Sequence, residues 1–164
     1  MAVNELETLA AALGAALSAK GWQLATAESC TGGWVAQTVT AIAGSSQWFD
    51  RGFVTYSNAA KQDMLGVQAA TLAEHGAVSE ATVREMVAGA LARSRADLAL
   101  AISGIAGPTG GSAAKPVGTV WIAWGLRQGA QRAQRFHFEG DRAEVRRQSV
   151  LAALQGALAL VGGG

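Results

Sequence analysis

Leu6, Leu9, Leu13 and Leu17 recur at spacings of three and four, which predicts an amphipathic helix over residues 4–19. Lys20-Gly21 supplies its stop. The period then shortens. Trp22-Gln23-Leu24-Ala25-Thr26-Ala27 alternates as a strand does and runs into Glu28-Ser29-Cys30-Thr31-Gly32-Gly33, where a second helix opens and continues through Val35, Val39 and Ile42 to Gly44. Phe49 to Tyr56 contains the β-branched and aromatic run Phe53-Val54-Thr55-Tyr56 and reads as a strand. Asn58 then caps a short helix carrying Lys61, Met64 and Leu65, and Gly66 ends it.

Ser79 starts a stronger helix, with Val83, Met86, Val87, Ala90 and Leu91 on one face. Leu98-Ala99-Leu100-Ala101-Ile102 is continuously apolar, the pattern of a strand covered on both sides. It feeds a loop from Ser103 to Gly111. Two further strands are predicted near Val117–Trp124 and Gln131–Phe138, joined by a hairpin turn at Arg127-Gln128-Gly129. A last helix begins near Asp141 and carries Leu151, Leu154, Leu158 and Val161, and the Gly162-Gly163-Gly164 tail reads as frayed. The sum predicts an α/β fold, a three-layer α/β/α sandwich built on one mixed sheet. Residues 1–164 read as a single domain without repeat or linker.

Composition narrows the function. The 164 residues are 50% apolar and 15% charged, which argues against disorder. With 13 basic and 12 acidic residues the net charge is +1, so no electrostatic case exists for nucleic acid or an anionic membrane. The acidic start Asn4-Glu5-Leu6-Glu7 lacks a secretory pattern, and Cys30 is a lone thiol. A cytoplasmic location is the expectation.

Ser29 is the first chemical candidate. It stands where a strand turns into a helix, beside Gly32 and Gly33, so its hydroxyl is predicted at the carboxyl edge of the sheet near free helix N-terminal amides. Those amides suit a phosphate or an oxyanion. The plainer reading is a helix cap, by Ser29 or Thr31. Cys30 is the rival nucleophile, with burial as its plainer reading.

Lys61 is the second, with Tyr56 at the preceding strand end. A serine needs a base, and lysine is one substitute for histidine. An ordinary lysine is neutral only about 0.04% of the time at pH 7, so it must be desolvated to serve. The plainer reading is a solvated helix lysine. His75, in a polar loop, and His137, in a strand, have no metal or triad context. The glycines of the Ser103–Gly111 loop fall at the same sheet edge as Ser29 if the two strands are parallel. Arg142, Arg146 and Arg147 suit a phosphate or carboxylate, or form a solvated face with Asp141 and Glu144. Ser112-Ala113-Ala114-Lys115 matches S-x-x-K but lies in a loop, and it is set aside.

Taken together, Ala27-Glu28-Ser29-Cys30-Thr31-Gly32-Gly33, Gly52-Phe53-Val54-Thr55-Tyr56-Ser57-Asn58-Ala59-Ala60-Lys61, Gly76-Ala77-Val78-Ser79, Ser103-Gly104-Ile105-Ala106-Gly107-Pro108 and Lys115-Pro116-Val117-Gly118-Thr119-Val120 resemble the CinA C-terminal domain family. The resemblance implies a stand-alone amidase that turns nicotinamide mononucleotide into nicotinic acid mononucleotide and ammonia, with no metal or cofactor. It places a serine–lysine pair on Ser29 and Lys61, with Tyr56 beside them. The departing amide nitrogen is then expected to receive its proton through Lys61 or Tyr56 and to leave as ammonia. The resemblance places Ser103 and Arg142 near the substrate, and with them Thr31, Gly32, Gly33, Gly104, Thr109 and Gly110 are the expected substrate contacts. Ser103 stands where the family often has threonine, and Arg51 where it often has glycine. A homodimer is the implied assembly. Two other classes stay open: a nucleotide-binding domain without catalysis, and a hydrolase of another small amide or ester.

Overall fold

The computed structural model describes residues 4–162 and contains one five-stranded sheet in the order β2-β1-β3-β4-β5. The strands are β1 (Leu24–Glu28), β2 (Phe49–Val54), β3 (Leu98–Gly104), β4 (Thr119–Leu126) and β5 (Gln131–His137). The helices are α1 (Glu5–Lys20), α2 (Trp34–Thr40), α3 (Asn58–Leu65), α4 (Ala69–His75), α5 (Glu80–Ala92) and α6 (Arg142–Gly162). β1 is parallel to β2 and β3, whereas β4 is antiparallel to both β3 and β5. The sheet is mixed, as the sequence predicts.

Local chemistry explains most boundaries. Leu6 N–H donates to Asn4 Oδ1 at 3.0 Å to open α1, and Gly21 at φ 67° closes it. β3 carries the sandwich. Leu98, Leu100 and Ile102 point into the layer of α1, α2 and α6, while Ala99 and Ala101 face α5. Alternation of large and small residues leaves room for Met86 and Val87 on the α5 side. Trp124 fills the other side, its Nε1–H donating to Ala153 O at 2.9 Å. No described helix is long and apolar enough to cross a membrane.

Three expectations are corrected. Ser29 to Gly33 forms a turn, and α2 starts only at Trp34. Ser57, not Asn58, caps α3, its Oγ accepting from Ala60 N–H at 3.0 Å. His75 belongs to α4, a short helix with no buried residue that the pattern did not announce. Of the expected frayed tail, Gly162 ends α6 and the rest lies outside the described residues.

The parallel strands set up the site. Glu28 pairs in register with Ile102 on one side and Val54 on the other, so three chain segments leave the sheet together. α3 then docks on α5 at Gly89, where an added Cβ would overlap the Leu65 carbonyl oxygen. Gly89→Ala is expected to cost about 1–3 kcal/mol through overpacking. It should also displace Lys61, because α3 carries it. Thermal unfolding and the crystal structure of the variant check both parts.

Candidate active site

The turn after β1 is held from within. The Glu28 carboxylate is 1% exposed, and it accepts from Thr31 Oγ1 at 2.6 Å, Val35 N–H at 2.9 Å and Ala36 N–H at 3.0 Å. An acid on a helix N-terminus is favourable, and here it consumes the very amides that the sequence left free. Gly32 at φ 60° and Gly33 at φ 102° let the chain turn between Ser29 and α2. Ser29 N–H donates to Ile102 O and Ser29 O accepts from Gly32 N–H, both at 3.0 Å. The nucleophile candidate is thus pinned to the sheet on one side and to its own turn on the other.

Lys61 reaches it from α3. Its Nζ lies 2.9 Å from Ser29 Oγ and 3.0 Å from Thr55 O, and the side chain is 1% exposed. Among the described residues no carboxylate pairs with it. Burial pushes the Lys61 amine below its ordinary value, and the Cys30 sulfur pulls weakly the other way. A neutral amine in this place keeps one N–H on Thr55 O and turns its lone pair to the Ser29 hydroxyl.

Cys30 behaves differently. Burial pushes its thiol up to about 11, against smaller opposing pulls from its own N–H and from Arg146. A thiol that stays protonated at neutral pH is a poor nucleophile. Iodoacetamide at pH 7 is therefore expected to leave the folded protein unmodified and to add one carbamidomethyl group after unfolding, as read by intact mass.

Beyond Ser29 opens a cavity of about 300 Å³, lined among others by Cys30, Asn58, Lys61, Val78, Ser103 and Arg142. That volume fits a small molecule. Arg142, the first residue of α6, ties two walls together: Nη1 donates to Gly107 O at 2.8 Å and Nη2 to Tyr56 Oη at 3.0 Å. Ser103 is 1% exposed and sits next to Ser29 through the β1–β3 register.

The CinA C-terminal domain model matches residues 6–161. The chain belongs to the CinA C-terminal domain family. It is 59% identical over 155 residues to a protein of Escherichia coli (strain K12) named nicotinamide-nucleotide amidohydrolase PncC, covering 94% of each. A Pseudomonas putida protein of the same name is 52% identical over 160 residues, which is 96% of this chain and 98% of that one. The solved competence/damage inducible protein CihA from Agrobacterium tumefaciens aligns with a TM-score of 0.94 at 47% identity, over 98% of this chain and 99% of its own.

The site positions expected from the sequence divide into two groups. Ser29, Lys61, Tyr56, Ser103, Gly104, Thr109, Gly110 and Arg142 all border the one cavity. Thr31, Gly32 and Gly33 do not. Thr31 is fully buried on Glu28, and the two glycines serve the turn. Tyr56 is 62% exposed and bonds Arg142, with no hydrogen bond to Ser29 or Lys61. Three contributors escaped the sequence reading: Glu28 as the helix cap, Asn58 in the wall, and Arg146 against the turn. Asn58 was legible in principle, since the neighbouring Ser57 is an equally good cap and frees it.

Proposed function

We propose that this chain hydrolyses the carboxamide of nicotinamide mononucleotide to nicotinic acid mononucleotide and ammonia, with Ser29 as nucleophile and Lys61 as base. The observation that carries the reading is the 2.9 Å approach of a buried lysine with no carboxylate partner to a serine at the mouth of a small-molecule cavity. The amidohydrolase names of the two relatives supply the reaction class and the nucleotide.

Neutral Lys61 takes the Ser29 proton as Oγ bonds to the amide carbon. The N–H of Cys30, which donates to no oxygen among the described residues, is the first amide available to the oxyanion. Collapse breaks the C–N bond, and Lys61 returns its proton to the departing nitrogen, which leaves as ammonia. Water then attacks the acyl ester, giving one proton to Lys61, which passes it to Ser29 Oγ as the acid is released. Tyr56 is better suited to orient Arg142 than to move this proton. Arg142 and the Gly104–Gly110 loop face the rest of the nucleotide.

Incubating the purified protein with nicotinamide mononucleotide and a panel of other amides, with ammonia as readout, tests the reading. Release from the nucleotide alone supports it. Binding without ammonia leaves a nucleotide-binding domain, and release only from other amides moves the substrate. Since the base must be neutral, kcat/KM is expected to rise with pH and to level off below ~10.4. A profile flat across that range would exclude the amine as base.

A further inference from the structure

Arg146 on α6 is a cation aimed at backbone. Its Nε donates to Cys30 O at 3.0 Å and its Nη2 to Thr31 O at 3.2 Å, across more than a hundred residues of chain. The guanidinium carbon lies 5.5 Å from the Trp34 ring centroid, so the group is stacked as well as bonded. Among the described residues no carboxylate pairs with it, whereas the adjacent Arg147 is bound to Glu144 and Glu5.

The two carbonyls it holds belong to the turn that carries Ser29. A trans peptide is planar, so fixing the Cys30 carbonyl towards the guanidinium directs the Thr31 N–H the opposite way. Ser29 O is occupied by Gly32 N–H, and Glu28 occupies the amides of Val35 and Ala36. The Cys30 and Thr31 amides donate to no oxygen among the described residues, and of the two only Cys30 lines the cavity. Charge-assisted bonds to a peptide carbonyl also draw electron density from its nitrogen, which strengthens the N–H as a donor. Glu28 and Arg146 therefore fix the turn from two sides, Glu28 through the Thr31 hydroxyl and the first amides of α2, Arg146 through two turn carbonyls.

We infer that Arg146 is a positioning residue for the nucleophile turn, holding the Cys30 and Thr31 carbonyls so that Ser29 and the cavity-lining Cys30 amide keep their place for a developing oxyanion. The inference rests on Ser29 being the nucleophile and not on the identity of the amide.

Arg146→Ala, Arg146→Lys and, as control, Arg147→Ala are compared with the parent protein in three measurements. These are kcat and KM for ammonia release from nicotinamide mononucleotide, the rate of serine labelling by a fluorophosphonate, and the melting temperature. Loss of an oxyanion donor costs about 10²–10³ in rate, and loss of its orientation is expected to cost about 10–100-fold. The expected result is a fall of that size in both kcat and labelling for Arg146→Ala, with KM nearly unchanged. Lysine restores only part, having no planar fork. Free guanidinium should raise the labelling rate of Arg146→Ala, and Arg147→Ala should label like the parent. Parent-like kcat and labelling in both Arg146 variants would overturn the inference, as would a loss confined to KM or one that follows melting temperature alone. A parent that labels but releases no ammonia from the nucleotide refutes the proposed substrate, while the labelling comparison still decides the role of Arg146. A parent that does not label removes the nucleophile and this inference together.

Discussion

Ser29→Ala is expected to lower kcat by about 10⁴-fold or more, as nucleophile deletions do in other serine hydrolases. The change removes one oxygen from a side chain already 8% exposed, and no element depends on that oxygen for its cap. Folding and nucleotide binding should persist, so calorimetric titration with nicotinamide mononucleotide ought to give a near-parental affinity. Turnover persisting in pure Ser29→Ala would transfer the chemistry elsewhere. Cys30 is a poor heir, given its raised pKa.

Lys61→Ala is expected to cost about 10³–10⁴-fold, within reach of general-base deletions. Lys61→Arg should be equally inactive, because a guanidinium keeps its proton. That pair separates a base from a mere positive charge: activity in the arginine variant would sink the proton-transfer role. Lys61→Met adds a stability readout. The folded pKa lies below the ordinary lysine value of 10.5, so between the two the unfolded chain binds more protons than the native one. The charged lysine is thus a burden on the native state that disappears as pH climbs to the unfolded value. Melting curves should show the parent gaining on Lys61→Met through that window and holding level above it.

Much of this was readable from residues alone, and the failures have physical causes. The leucine spacing of α1, the both-sides-apolar β3 and the β4–β5 hairpin were legible because burial imposes periodicity. α4 was silent because none of its residues is buried, so it left no apolar stripe. The start of α2 was misjudged because its cap is not a local serine or threonine but Glu28, reaching forward from the strand to Val35 and Ala36. Ser29 and Lys61, which the fold brings together, were singled out through chemistry plus family resemblance, whereas Arg146 looked like one more charge at a helix start. Only the packing of α6 over the Ser29 turn distinguishes it from Arg147. Tyr56 was placed beside Ser29 and Lys61 by the family resemblance; it borders the same cavity, and its hydroxyl partner is Arg142.

The antiparallel half of the sheet sends its hairpin, Arg127-Gln128-Gly129, to the end of β3 that begins at Leu98, and the cavity sits at the other end. Seven strand residues at about 3.3 Å each separate the two by roughly 20 Å. Gln128 is therefore a natural anchor for a dye, a resin or a fused reporter. An immobilised form tethered there would present its reactive mouth to solution rather than to the support.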